Sequence, residues 1–253
     1  MRLPFLRRKG AVLIVAGTLL ASAAGIGHAQ EISAAEKLLF LSNHFSNISK
    51  PTKLSYTYRQ LETPPGIAAP EAPAAVAPTA FSDDVSVEVI KRNDDGTAVV
   101  AAHFLTGVHE IPIPSIDHAQ GNPAILGFLE RDIAEMKRLT GGATGYFRKR
   151  IRLALAAPVV PVKKIEVNYD GKQIAAQEVT IHPYRDDPLK DRFGKFADKS
   201  YVFIVSDAVP GSLYRVYTTL NPDKAAPALD ASMTIARGDT TALKNAPLVV
   251  GKK

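Results

Sequence analysis

The stretch KKIEVNYDGKQIAAQEVTIHPY, residues 163–184, carries the pattern on which the fold prediction depends. Two runs of strand length, each containing isoleucine and valine, flank Asp170-Gly171. An Asp-Gly pair between such runs favours the tight turn of a β-hairpin, because both residues readily adopt positive φ angles. The stretch therefore predicts two adjacent antiparallel strands.

Hairpins of the same kind are predicted on both sides of this stretch. Residues 83–107 turn at Asp95-Gly96, and residues 200–220 turn around Pro210-Gly211. Residues 97–106 are apolar on both faces, which predicts a central strand, and single strands are expected at 54–61 and 229–236. Since the strands come in adjacent pairs without strand–helix–strand alternation, the sequence predicts an α+β fold with one or more antiparallel sheets.

Two helical segments complete the predicted fold. Ser33 and Glu36 form a capping box at the start of an N-terminal helix over 33–48. An inserted helical hairpin is predicted over 121–156, where Asn122 caps the first helix and Pro123 takes its first position. Gly141 and Gly142 end that helix, and Thr144 is expected to cap the next.

The N-terminus predicts export. Four basic residues precede an apolar run from Ala11 to Ile26, and small residues at Gly27 and Ala29 are typical of a signal-peptidase site. The whole chain carries a net charge of +6, and removing this leader leaves only +2, so no nucleic-acid partner is expected. The chain has no cysteine, which excludes disulfides and thiolate chemistry. We expect a periplasmic protein without stable membrane insertion, organised as follows: signal peptide 1–29, helix and first strand 30–61, Pro/Ala-rich flexible loop 62–80, hairpin plus helical hairpin 81–157, and β region with C-terminal tail 158–253.

Two charged residues are predicted to point inward. On a helical wheel of about 100° per residue, Asp132 falls within the apolar arc of its helix, and Arg150 falls within that of the next. Glu130 points roughly 160° away from Asp132, so these two carboxylates cannot act on one group. Because isolated buried charges are costly, we expect Asp132 and Arg150 to form a structural ion pair.

Evidence for catalysis or a metal centre is weak. No serine lies in a G-x-S-x-G motif, and the glycine-rich segment 140–145 lacks the lysine of a phosphate loop. His103, His109 and His118 are weak metal candidates, since their spacing matches no ligand motif, and His103 is more simply a core histidine. No catalytic residue and no cofactor are therefore predicted.

Three segments resemble a family of uncharacterised exported bacterial proteins: FLERDIAEM (128–136), GYFRKRIRLAL (145–155) and DKSYVFIVSDAVPG (198–211). That family implies export but no activity. In architecture alone, the predicted helix, hairpins and helical pair are similar to the LolA/LolB-type periplasmic carriers. This second resemblance implies a half-barrel sheet with an apolar cavity beneath helices.

The leading functional hypothesis is a non-enzymatic periplasmic protein that binds an apolar or lipid-like ligand between sheet and helices. Its predicted contacts are aromatic strand residues, Tyr201, Phe203, Tyr214 and Tyr217. The alternative is an envelope accessory protein that docks a protein partner through strand edges or through the basic helix face that carries Arg148 and Arg152. A metal-assisted hydrolase is the third hypothesis.

Overall fold

The fold is described by a computed structural model of the chain. The structure describes residues 31–62, 79–220, 222–223 and 228–238. The chain divides into Met1–Glu31 and Ile32–Lys253, and all the elements below belong to the second unit. The predicted signal peptide 1–29 and the tail after residue 238 lie outside the described residues, as do 63–78 of the predicted loop.

The described residues form one antiparallel sheet of nine strands in the order β4-β3-β2-β1-β9-β8-β7-β6-β5. Both the α+β class and the antiparallel sheet are thus confirmed. The strands are β1 Thr52–Glu62, β2 Thr79–Arg92, β3 Ala98–Phe104, β4 Ile116–Ala119, β5 Val162–Tyr169, β6 Lys172–Ile181, β7 Ser200–Val205, β8 Leu213–Leu220 and β9 Ala228–Ile235.

The predicted hairpin turns are confirmed. Gly96 between β2 and β3 has φ 81°, and Gly211 between β7 and β8 has φ 72°. At the β5–β6 turn, Asp170 and Gly171 have φ values of 52° and 76°, as a two-residue primed turn requires. These turns set neighbouring strands antiparallel in sequence order.

One pairing joins the two ends of the described sequence. β1 lies between β2 and β9, with Tyr58 opposite Met233 in β9. The strands β1–β4 and β5–β9 therefore form one continuous sheet. The predicted loop 62–80 is shorter than expected. Thr79 and Ala80 already belong to β2, where they pair with Glu62 and Leu61 of β1.

The first helix, α1, consists of Ala34–Glu36 and the π-helical Lys37–Leu41. Its predicted capping box is present, but the predicted end at residue 48 is wrong. Asn43 stops the helix, since its side chain accepts a hydrogen bond from the backbone N–H of Phe45 (3.1 Å) and favours a turn. Phe45 and Ile48 are nevertheless buried.

Two long helices lie between β4 and β5 in the chain: α2 spans Pro123–Thr140 and α3 spans Thr144–Leu155. Asn122 caps α2, its side chain accepting from the N–H of Ala124, and Gly141 ends it with φ 72°. Thr144 is the first residue of α3 rather than its cap, a position held by Ala143. Among the described residues, no helix is both long enough and apolar enough to cross a membrane.

Aromatic side chains fill much of the core. Tyr58 packs against both Phe104 and Phe128, at ring-centre distances of 5.9 and 5.8 Å. Phe147 of α3 packs edge-on against Tyr184 at 5.7 Å. The space where the sequence predicts an apolar cavity is therefore occupied, in these regions, by the protein's own rings.

Candidate functional site

Asp132 is as deeply buried as its helical position predicts, with 1% of its surface exposed. Its partner, however, is Lys199, whose Nζ lies 2.5 Å from Oδ1 of Asp132. The predicted Asp132–Arg150 pair is therefore wrong. A helical wheel shows which face of a helix carries a residue, but not which element packs against that face. The face of α2 that carries Asp132 packs against the sheet, where Lys199 directly precedes β7.

Lys199 joins two carboxylates in the interior. None of its surface is exposed, and its Nζ also lies 2.7 Å from Oδ2 of Asp230 in β9. Tyr201 donates a hydrogen bond to Oδ2 of Asp132 (2.6 Å), and the hydroxyl of Tyr184 lies 3.0 Å from that of Tyr201. Helix α2 is thus connected to β7 and β9 through a continuous polar network.

The charges within this network shift its protonation equilibria. Burial is the largest influence on Lys199 and alone would lower its pKa, but the adjacent Asp132 and Asp230 carboxylates outweigh it and raise that pKa well above its usual value. Burial raises the pKa of Asp132; the Lys199 ammonium opposes this only in part, and the nearby Asp230 carboxylate raises that pKa further. At neutral pH Lys199 is therefore the charged centre of the network.

Arg150 has a separate partner. It is half-buried, and its Nε lies 2.7 Å from Oδ2 of Asp187, whose side chain is fully buried. The other oxygen of Asp187 accepts hydrogen bonds from the hydroxyl of Tyr146 (2.6 Å) and the N–H of Leu189 (2.7 Å). The ion pair therefore holds α3 against the loop that follows β6.

A groove of about 330 Å3 lies beside this ion pair, between the end of α3 and the end of β6. We call it the α3–β6 groove. Its volume falls at the lower end of the ~300–1,000 Å3 found for small-molecule sites. Its lining is mainly apolar and comes from α3, the loop that follows it, and β6; it includes Leu153, Ala157, Val159, Val160 and Ile181.

Its lining also includes His182, immediately after β6. The Nδ1 atom of His182 is buried, and no described residue hydrogen-bonds to it. Burial and then the nearby Arg185 guanidinium lower the pKa of His182, so the ring is neutral at neutral pH. An unpaired buried polar atom is costly, so this side chain is held at some expense in stability.

The aromatic residues predicted as ligand contacts occupy other places. Tyr201 and Phe203 are fully buried, and Tyr214 is buried with its hydroxyl donating to the carbonyl of Asn168 (2.9 Å). Tyr217 is half-buried, and the guanidinium of Arg215 lies 4.6 Å from its ring centre. None of the four lines the α3–β6 groove.

Arg148 and Arg152 lie at a second groove, of about 230 Å3, which we call the three-helix groove. Arg148 is exposed and forms two hydrogen bonds to Glu130 of α2, at 2.8 and 2.6 Å. The groove has apolar walls from α1, α2 and α3, which include Phe40, Leu126, Leu129, Ile133, Ile151 and Leu155. Both arginines thus border an apolar surface, as docking would require.

The three candidate metal-binding histidines lie apart in different environments. His103 is exposed on β3, so the expectation of a core histidine is wrong; its face of the strand points away from the core. His109 stacks on Phe81 at 4.6 Å, and Nδ1 of His118 lies 3.2 Å from Asp95. The described part of the chain contains no group of three histidine, aspartate or glutamate residues placed to hold a metal ion.

No protein-family model matches the chain, and comparison with curated proteins found no similar sequence.

Sequence reasoning missed Lys199, Asp187 and His182. Lys199 lies in the charged run Asp198-Lys199, and Asp187 in the run 184–192, both of which have the composition of solvated loops. One signal was present: an inward Asp132 needed a cation, and a lysine directly before an apolar strand can point into the core. Nothing in the sequence around His182 indicates that one ring nitrogen is buried without a partner.

Proposed function

We propose that the chain is a non-enzymatic periplasmic protein that binds a small, largely apolar ligand in the α3–β6 groove. One wall of the groove belongs to the helical hairpin α2–α3 inserted between β4 and β5, and the other to the sheet, so its position agrees with a site between helices and sheet. The observation that carries the proposal is a groove with mainly apolar walls whose lining includes His182, a residue with no hydrogen bond at Nδ1. The signal peptide predicted at 1–29 supports a periplasmic location for the site.

Binding without catalysis fits the chemistry of the lining. Histidine acts as a base or nucleophile activator when a second group orients it by a hydrogen bond. Nδ1 of His182 hydrogen-bonds to no described residue, while Arg150 on the same lining is tied to Asp187. Such a lining can hold a ligand and orient it.

The test uses protein purified from a bacterial periplasm and examined by native mass spectrometry before and after delipidation. We expect a small-molecule adduct that delipidation removes and that Leu153→Glu abolishes, because a carboxylate at the mouth of the groove disfavours an apolar ligand. Leu153 is 47% exposed, so the substitution leaves the core intact.

Leu126→Glu is the matched control, since Leu126 is also helical and 50% exposed but lines the three-helix groove. Retention of the adduct by Leu126→Glu completes the expected result. An adduct that survives Leu153→Glu would place the ligand elsewhere, and a protein without any adduct or added-ligand binding would contradict the proposal.

The second candidate function is docking of an envelope protein at the three-helix groove. It is favoured by the apolar walls of that groove together with its bordering charges, Glu36, Glu130, Arg148 and Arg152. The same two variants separate the functions: a stoichiometric protein captured from periplasm by the wild type and by Leu153→Glu, but not by Leu126→Glu, supports docking. Capture that Leu126→Glu leaves unchanged would contradict it.

A further inference from the structure

Resting on the proposed function, we propose that the ligand of the α3–β6 groove is an uncharged amphiphile: an apolar body with one neutral hydrogen-bonding group, such as an alcohol. The proposal excludes fatty-acid and phosphate head groups, although an arginine lines the groove. Three features of the groove lead to this chemistry.

The first feature is that Arg150 already has its counter-charge. Its Nε lies 2.7 Å from the buried carboxylate of Asp187, and it donates a hydrogen bond to the carbonyl of Pro183 (3.3 Å). Binding an anion here would set the ligand's charge beside that of Asp187. Like charges at such short range are unfavourable, and most strongly so where little water screens them.

The second feature is the sign of the surrounding charge. Asp186 also lines the groove, and Arg185 beside it is itself engaged by Asp223 at 2.9 Å and Asp198 at 3.9 Å. Two guanidinium groups are therefore accompanied by four carboxylates around His182. The local field repels an anion approaching the mouth of the groove.

The third feature is His182 itself. In a neutral imidazole one ring nitrogen donates and the other accepts, so His182, which lines the groove, can exchange a hydrogen bond with a hydroxyl or amide group. The pKa of this histidine is lowered by burial, which keeps the ring neutral at neutral pH. A charged ligand of either sign would lose its hydration when it binds between this neutral group and the apolar walls, and that loss is costly. The only free carboxylate of the lining, Asp186, is exposed to water, so it offers an ammonium group little compensation.

The walls accommodate the apolar body. Ala154, Ala157 and Val160 are half-buried along one side, and Ile181 is buried on the other. Val159, at 85% exposure, and Leu153 stand at the rim, where a bound chain would cover them. A medium-chain aliphatic molecule is therefore a suitable probe of the site.

The experiment measures displacement of the neutral fluorophore N-phenylnaphthylamine from delipidated protein near neutral pH by decanol, decanoate and decylammonium. We expect decanol to bind at least about tenfold more tightly than either ion, because the groove can pair its hydroxyl but neither charge. Equal or tighter binding of decanoate or decylammonium would overturn this inference while leaving the proposed function standing. Failure of all three and of the fluorophore to bind would contradict the proposed function itself.

Asp187→Asn provides the complementary test, since it removes the counter-charge of Arg150 and keeps an oxygen for Tyr146 and Leu189. The affinity for decanoate relative to decanol should rise at least about tenfold. Asp191→Asn is the matched control, because it removes an exposed carboxylate from the short 3-10 helix Lys190–Phe196 that follows this loop, and it should leave the ratio unchanged. An unaltered ratio in folded Asp187→Asn protein would show that Arg150 does not govern the selectivity and would overturn the argument. Where Asp187→Asn does not fold, the wild-type ranking decides.

Discussion

At the scale of single residues, Lys199 holds the most demanding position. Lys199→Met would leave the carboxylates of Asp132 and Asp230 buried without their shared cation. Removing one partner of a buried ion pair costs about 3–5 kcal/mol, whereas replacing all partners by neutral groups costs much less. We therefore expect Lys199→Met to lower the free energy of unfolding, measured by urea denaturation, by about 3–5 kcal/mol. Adding Asp132→Asn and Asp230→Asn should recover much of this loss. A loss below about 1 kcal/mol would contradict a structural role for the cation.

His44 is a buried histidine that should make the free energy of unfolding depend on pH. The N–H of Asn122 donates to its Nδ1 (3.0 Å), so this nitrogen is unprotonated; Nε2 then donates to the carbonyl of Leu38 (2.8 Å). A neutral ring thus connects α1 to the start of α2. Burial lowers the pKa of His44, so the unfolded chain binds a proton more readily than the folded one.

The stability contributed by His44 is therefore fully present above its ordinary pKa of about 6.5 and is lost as the pH falls below it. Thermal denaturation between pH 8 and pH 5 should show a falling melting temperature. His44→Gln, which can donate and accept but does not titrate, should have a shallower dependence. Parallel curves for the two proteins would show that another group is responsible.

At the scale of elements, the seating of α2 on the sheet depends on Gly127. A Cβ atom at this position would lie 2.2 Å from Cδ2 of Phe104 in β3, closer than atoms can approach. Gly127→Ala should lower the unfolding free energy by about 1–3 kcal/mol, since α2 or Phe104 must shift.

Gly145→Ala in α3 is the matched control. Nothing lies within 4 Å of the added Cβ, so the change should be neutral or stabilising by up to about 1 kcal/mol through helix propensity. Circular dichroism during denaturation measures both variants. Equal effects of the two substitutions would rule out close packing at Gly127 as the cause.

The elements themselves could largely be predicted from sequence, because their signals are local. Asp170-Gly171 specifies its turn within two residues, and Asn122-Pro123 specifies where α2 begins. The ion pairs could not be predicted in this way. Asp132 and Lys199 are 67 positions apart, and their contact depends on how α2 crosses the sheet, which no local pattern encodes.

At the scale of the whole molecule, the β1–β9 pairing should make unfolding a single event. Val87→Ala in β2 and Val179→Ala in β6 remove fully buried methyl groups from the two sides of that pairing. Each should lower the unfolding free energy by about 1–3 kcal/mol and shift one common transition. Far- and near-ultraviolet circular dichroism in urea should give superimposable curves for both. Separate transitions would show that the sides unfold independently.

The strand order is the part of the architecture that sequence reasoning left open. Hairpins determine only neighbours, so they leave undecided whether β1–β4 and β5–β9 form one sheet or two. The single sheet forms because β1 pairs with β9, where Tyr58 lies opposite Met233, and these two residues are separated by most of the chain. Both strands have alternating apolar residues, but this pattern is compatible with many neighbouring strands and does not specify which two strands pair.

The central position of β1 also has a consequence in time. Whether the chain emerges from the ribosome or from an export channel, β2 becomes available to β1 early, yet the other hydrogen-bonding edge of β1 waits until β9 has emerged. During that interval the growing chain exposes an unsatisfied strand edge, the kind of surface on which nascent chains aggregate and which chaperones protect. The sheet can be completed only after β9 has been made.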